Sequence, residues 1–281
     1  MNQQMSKTRS HEHEIEIDAP IDAVWKAITE AEDLTNWFSE EARVIPGVGG
    51  SFWVSWGKGQ SGESQIEIWE PGRRLRFTQM PEASAEDPTK ACGFPSLVDT
   101  PLVQEYTLES RGGRTVLRLV QSSIPSAAEW DAWYDGTDRG WDMFFAGLRH
   151  YLEKAAGKAR KTIMIMQPIK GALEESWKKL TGSEGFAARG TLEGLGTGSR
   201  YSVTTSNGDD FQGEIILNLP PKTITFTIEN LDNALLSATF EEMGGATYFF
   251  MTLATYGWTP EQNEALNARW STWMQSLFPA P

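Results

Sequence analysis

Histidine is the side chain best suited to moving a proton or holding a metal near neutral pH. The chain of 281 residues has three, His11, His13 and His150. In HEHEIEID, His11 and His13 are two residues apart. On a strand that spacing puts both on one face, which makes half of a metal site. A zinc-type site needs further nitrogen, sulfur or carboxylate ligands, and neither a Cys nor a third His stands nearby. An exposed strand end is therefore expected, with no metal and no cofactor, and His150 is expected in solvent beside Arg149. The single cysteine, Cys92, sits in TKACGFPS two residues from Lys90. A reactive thiol needs a base or cation close to it, so one lysine in a loop favours an inert cysteine.

The carboxylate pairs Glu40–Glu41, Asp209–Asp210 and Glu241–Glu242 are adjacent in sequence. Neighbours on a strand face opposite ways, so none of them makes an acid/base pair. GLGTGS is followed by a strand pattern and not a helix, which fits a turn better than a dinucleotide site. No GxSxG, HExxH, CxxC or P-loop pattern occurs, and no catalytic residue is assigned.

What remains is aromatic: 12 Trp, 13 Phe and 6 Tyr. Strand alternation places Phe52, Val54 and Trp56 on one face, as it does Leu75 with Phe77 and Tyr106 with Leu108. In GWDMFFAGLRHYL, the residues Trp141, Phe144, Phe145, Leu148, Tyr151 and Leu152 form one helical stripe. If the strand faces look toward this helix, they meet Trp141, Phe145 and Leu148. Trp37 and Phe38 then lie near the mouth, and Tyr106 and Gln121 are polar groups available to one end of a ligand. A filled core and the wall of a binding cavity both fit this set. Trp130, Trp133 and Tyr134 fall in residues 122–139, read as a loop or short helix. There they form a lid or a partner surface, or else cover the helix end or dock two domains together.

The elements that would position these residues occur twice. HEIEIDAP alternates like a strand; Asp18 is placed to cap, and Pro20 to start, a helix carrying Val24, Trp25 and Ile28. A second short helix lies near AEDLTNWF. The strands EEARVI, SFWVSW, SQIEIWE, RRLRFTQM, VQEYTLES and TVLRLVQ follow, interrupted by an irregular insertion at 81–101. The long helix then runs from about Gly140 to Ala156. After GKARK the order returns: strand KTIMIMQ, a helix begun by Pro168 with Leu173, Trp177 and Leu180, a meander, and a last helix at Asn263–Phe278. IEIWEPGRRLRFT and EIILNLPPKTITFT align Pro71 with Pro220 and Phe77 with Phe226. RWSTWMQSLF repeats the aromatic stripe through Trp270, Trp273 and Met274. This is duplication of a whole α+β domain. The expected limits are a disordered 1–10, a first domain at 11–156, a linker at 157–160 and a divergent second copy at 161–281.

HEIEIDAPIDAVWKAITEAEDLTNWF, GGSFWVSW, GESQIEIWEPGRRLRFT, GGRTVLRLVQS and GWDMFFAGLRHYLEK, taken in order, resemble the SRPBCC or START-like superfamily. Within it they are most similar to the group named after the activator of heat-shock-protein-90 ATPase. The resemblance spans roughly residues 11–156 and is fainter in the second copy. It implies a helix-grip fold, of the birch-pollen-allergen type: a curved antiparallel sheet around a long C-terminal helix, with an apolar cavity between them in many relatives. Other relatives are cyclases, dehydratases, lipid carriers or protein binders, and fold alone does not choose among these.

Bulk properties narrow the choice. Net charge is −13, made up of −10 before and −3 after a division near Gly157. No basic stripe suits nucleic acid, and the charge disfavours an anionic membrane. One cysteine fits a reducing compartment. MNQQMSKTRS lacks a secretory apolar run, and no stretch approaches the ~18–20 apolar residues of a membrane span. A cytoplasmic protein is expected. Its expected function is non-catalytic binding of an apolar, amphipathic or lipid-like small molecule, mainly by the first domain. Burial of the ligand would supply about 25 cal/mol per Å². The alternatives are a protein-binding module resembling a chaperone ATPase regulator, and a cyclase or hydrolase on the same fold.

Overall fold

The computed structural model describes residues 7–57, 60–79, 100–243 and 245–281. The chain divides between Ala156 and Gly157 into two compact units. Each contains one seven-stranded antiparallel sheet and one long helix at its C-terminal end. Both units are helix-grip α+β domains.

In the first unit the order is β1 (Thr8–Ile17), α1 (Ile21–Thr29), α2 (Ala31–Leu34), β2 (Glu41–Val44), β3 (Ser51–Gly57), β4 (Gln60–Glu70), β5 (Arg74–Gln79), β6 (Val103–Arg111) and β7 (Arg114–Pro125). A 3-10 turn at Ala128–Trp130 leads into α3 (Asp131–His150), which ends in a π-helical turn at Tyr151–Ala155. The sheet order is β1-β7-β6-β5-β4-β3-β2, so α1 and α2 carry the chain from one edge of the sheet to the other. Alternation on β1 sets which face is buried. Glu12 and Glu16 point outward and pair with Arg118 (2.7 Å) and Arg114 (2.8 Å). Ile17, His11 and, less completely, Ile15 and His13 point inward. At the β4–β5 turn Gly72 has φ +68°, a left-handed conformation that favours glycine.

Three details differ from expectation. The strand β1 begins at Thr8, inside the segment expected to be disordered. Asp18 does not cap α1; its backbone N–H instead donates to the Glu153 carboxylate at 2.9 Å. The helix α3 starts at Asp131, so the second part of the segment expected as a loop or short helix, residues 131–139, is the first half of this long helix. Gly136 and Gly140 hid it, since each glycine costs about 1 kcal/mol against alanine in a helix. Packing against β1 overrides that cost. Of the insertion expected at 81–101, residues 81–99 with Cys92 and Lys90 lie outside the described residues.

The second unit runs β8 (Arg160–Ile169), α4 (Leu173–Thr181), β9 (Ala187–Arg189), β10 (Arg200–Thr205), β11 (Asp210–Leu219), β12 (Thr223–Ile228), β13 (Ala234–Met243), β14 (Ala246–Tyr256) and α5 (Pro260–Leu277). Its sheet order, β8-β14-β13-β12-β11-β10-β9, repeats that of the first. Pro168 does not start a helix. It lies within β8 opposite Tyr248, and α4 begins at Leu173. Proline is tolerated there because β8 is an edge strand. The helix α5 starts at Pro260, three residues before the expected Asn263. Thr259 and Gln262 form a reciprocal capping box at its start. Phe186, Phe226, Phe240, Phe249 and Trp270 fill the core and are fully buried. Among the described residues no helix is long and apolar enough to cross a membrane.

Hydrogen-bond register gives the correspondence between the units. Counting from the β6–β7 and β13–β14 hairpins, Ile17 opposite Thr115 corresponds to Ile169 opposite Thr247. His13, His11 and Gln121 then correspond to Ile165, Ile163 and Leu253.

Candidate functional site

The inner face of the first sheet meets α3 through aromatic rings. Phe52 and Phe77 stack at 4.6 Å, and Phe77 lies 6.0 Å from Tyr106. Tyr106 meets Trp141 edge-on at 6.4 Å. Phe38 stacks on Trp141 at 5.9 Å and meets Phe144 at 4.8 Å. Trp37 packs on Phe38 at 5.1 Å, and its indole N–H donates to the Ala27 carbonyl. Val54, Leu75, Leu108, Phe145 and Leu148 are buried within the same layer. The sequence-assigned wall residues are thus brought together, and all but one are covered by protein. Trp56 is the exception: it is half-buried, and its Nε1 donates to the Phe38 carbonyl at 2.9 Å.

Polar groups interrupt this layer. Trp141 Nε1 donates to Gln121 Oε1 at 2.9 Å, with both residues buried. The Tyr106 hydroxyl donates to Gln104 Oε1 at 3.2 Å, and burial pushes its pKa far upward, so it remains a neutral donor. Gln121 stands opposite His11 in the β1–β7 ladder.

Next to that pair the ladder is irregular. Between Arg9 and His11 the partner moves from Ile124 to Gln121, leaving an extra residue on β7. Ser123 there has φ +67°. A non-glycine residue in this region costs on the order of 1–3 kcal/mol, and such strain clusters at functional positions. The equivalent β8–β14 ladder runs without a shift.

His11 and His13 were expected at an exposed strand end. Instead His11 is 1% exposed and His13 is largely covered by α3. His11 Nδ1 lies 3.1 Å, and His13 Nε2 3.0 Å, from the same oxygen, Asp138 Oδ1. His13 Nδ1 lies 3.1 Å from Asp142 Oδ1 in a hydrogen bond. Among the described residues, neither nitrogen of His11, nor Nε2 of His13, has a hydrogen-bond partner. Leaving a buried polar group unsatisfied costs about 1–3 kcal/mol. Burial lowers the His11 pKa, the Asp138 charge only partly offsets this, and His13 and Arg9 lower it further. Burial opposes the charged form of His13 as well, but the Asp142 hydrogen bond and charge, with Asp138, carry its pKa upward.

The expectation of no third ligand rests on the lack of a nearby Cys or third His, with 122–139 read as a loop or short helix; the third candidate is instead a carboxylate on α3. With that segment helical, Asp131, Asp135, Asp138 and Asp142 fall at i, i+4, i+7 and i+11, on one face. That spacing is the signal that was available. Arg9 pairs with Asp131 at 2.7 Å and lies over the Tyr134 ring at 4.1 Å. Tyr134, expected in a lid or partner surface, packs on His11 with the rings tilted and their centroids 3.9 Å apart, and donates to the Ser10 carbonyl. Trp130 is buried against Trp133, which is half-buried. These three residues are therefore on or next to the first turn of α3 and not on a free loop. His150, expected in solvent, is buried in the last turn of α3.

Residues 18–153 match the model of the family described as Activator of Hsp90 ATPase homolog 1-like protein. The match lies wholly within the first unit. No curated protein matches the chain. Among solved structures, protein MLL2253 from Mesorhizobium loti is 24% identical at a TM-score of 0.44, over 53% of this chain and 99% of that one. The Aha1 dimer from Colwellia psychrerythraea is 16% identical at a TM-score of 0.42, over 52% and 96%. The di-domain ARO/CYC BexL from the BE-7585A biosynthetic pathway is 16% identical at a TM-score of 0.42, over 97% and 99%. None of the three specifies an activity for this chain.

Proposed function

We propose that the first unit binds an apolar or amphipathic small molecule between its sheet and α3. The molecule is seated at the mouth beside Trp56, Phe144 and Trp141. The observation that carries this proposal is the difference between the two inner faces. The second unit has Ile163, Ile165 and Leu253 where the first has His11, His13 and Gln121. A helix-grip core needs only the aliphatic set to pack. Buried polar groups beside aromatic rings are the usual means of orienting a bound molecule. The half-buried Trp56 and Phe144 mark the place where rings can part with least loss of packing.

Native mass spectrometry of the intact chain with a panel of amphipathic aromatic and acyl compounds tests the proposal. A one-to-one complex is expected, weakened by Phe145→Ala and insensitive to Met251→Ala in the second unit. Absence of any such complex, or equal sensitivity to both substitutions, contradicts it.

A second reading, a protein-binding module acting on a chaperone ATPase, draws on the family description for residues 18–153. Stimulation of purified Hsp90 ATPase by the chain would support it, and no change in that activity would count against it. A reaction on the bound molecule would draw on the inward-facing His11 and His13, the acid or base that a cyclase-type function requires.

A further inference from the structure

We propose that His11, His13 and Asp138 form a binding site for one divalent transition-metal ion of the zinc type, with Asp142 as the positioning residue for His13. Two imidazoles and one carboxylate are a donor set suited to zinc, and three protein ligands leave a position open. The ligand atoms lie within 4.8 Å of one another. Around an ion with bonds of 2.0–2.1 Å, ligand atoms are about 2.8–3.4 Å apart, from right-angled to tetrahedral geometry. The Asp138 oxygen already stands 3.0 and 3.1 Å from the two imidazole nitrogens.

The orientation of these contacts favours a shared ion over hydrogen bonds. Both nitrogen–oxygen distances are short, yet neither contact meets the angles of a well-formed hydrogen bond among the described residues. Donors facing a common point, and not each other, give this pattern. His11 is fully covered and, among the described residues, has no hydrogen-bond partner on either nitrogen, so burial leaves it aimed into the cluster. His13 adds the arrangement usual for a metal-bound imidazole: one nitrogen faces the site while the other is held by a carboxylate. Here that carboxylate is Asp142, at 3.1 Å from Nδ1.

Placement supports the same conclusion. The Asp138 side chain is 49% exposed, which leaves the open coordination position reachable from solvent. The nearby cation, Arg9, is paired with Asp131. The bulge at Ser123 adjoins His11 and Gln121 and is missing from the second unit's ladder. The second unit also lacks the donors. Register puts Ile163 and Ile165 in place of the histidines. Aligning α5 on α3 through Trp270 and Trp141 puts Asn267 and Ser271 in place of Asp138 and Asp142.

The test is calorimetric titration of Zn²⁺ into the chelator-treated full chain, with Co²⁺ absorption as a report on coordination. One zinc per chain is expected. Asp138→Asn, a substitution at a half-exposed position, should abolish the one-to-one binding while leaving the unfolding temperature of the metal-free chain nearly unchanged. Asp142→Asn should weaken zinc roughly 10–100-fold, as loss of a carboxylate behind a ligating histidine does, and Asp142→Glu should recover part of that loss. Failure to bind zinc one-to-one overturns the site. So does equal zinc affinity in Asp138→Asn, which would place the ion elsewhere on an acidic surface. Unchanged affinity in Asp142→Asn overturns the positioning role.

Discussion

Gln121 and Trp141 connect the sheet to α3 through one buried hydrogen bond of 2.9 Å. Gln121→Leu installs the side chain that the second unit uses at the same register position, Leu253. It leaves the indole N–H without a partner in a buried place, at a cost of about 1–3 kcal/mol. Trp141→Phe leaves the Gln121 carbonyl oxygen in the same condition, at a similar cost of about 1–3 kcal/mol plus the packing lost with the indole. In the double variant both polar groups are gone, so the orphaning penalty disappears and only the packing loss remains. The double variant should therefore be less destabilised than the sum of the singles by about 1–3 kcal/mol, well outside the ~0.5 kcal/mol scatter of independent sites. Differential scanning calorimetry reads this as a shift of roughly 2–4 °C for each kcal/mol in a unit of this size. Additive effects would refute the claim that Gln121 is committed to Trp141.

Three further outcomes are expected. Thr259→Ala removes the capping box at the start of α5 and should destabilise the second unit by about 0.5–2 kcal/mol in a denaturant titration; no effect would mean that this helix end is held by other means. Gly72→Ala forces a side chain into the left-handed region and should cost about 1–2 kcal/mol, read as a lower midpoint for the first unit. The Glu105 pKa is lowered chiefly by its hydrogen bond from Arg74, and also by Arg76, against the opposing effect of partial burial. A depressed folded-state pKa gives a contribution present above the unfolded value of about 4.3 and lost as pH falls through the folded value. The first unit should accordingly lose stability below about pH 4.3, and Glu105→Gln should reduce that dependence; an identical acid profile in the variant would contradict the assignment.

Much of the fold was legible because it rests on short-range patterns. Period-two alternation located Phe52, Val54, Leu75, Phe77, Tyr106 and Leu108 on inward faces, and all six are buried, whereas Trp56, expected with Phe52 and Val54, is half-buried where the β3–β4 register shifts between Ser55 and Gly57. The aligned hairpins at Pro71 and Pro220 disclosed the duplication, and both sheets have the same strand order. Long-range pairings were harder to read. DAP and MQP look alike in sequence, yet register shifts β8 by four residues relative to that match, so Ile165 and not Lys161 stands where His13 does. Gly136 and Gly140 masked the first half of α3 and, with it, the aspartates that face β1. A histidine pair followed more than a hundred residues later by Asp138 and Asp142 carries no local signal. Only the antiparallel return of β7 and the direction of α3 bring the four side chains together.

On the proposed function the first unit, and not the second, holds a small molecule against its long helix. A crystal structure of the intact chain, grown with the tightest-binding compound from the mass-spectrometric panel, tests it most directly. The expected result is non-protein density against Trp141, Phe145 and the half-buried Trp56, with none between α5 and the second sheet. The claim is contradicted if both sheet–helix spaces contain only side chains, or if the compound lies against the second unit.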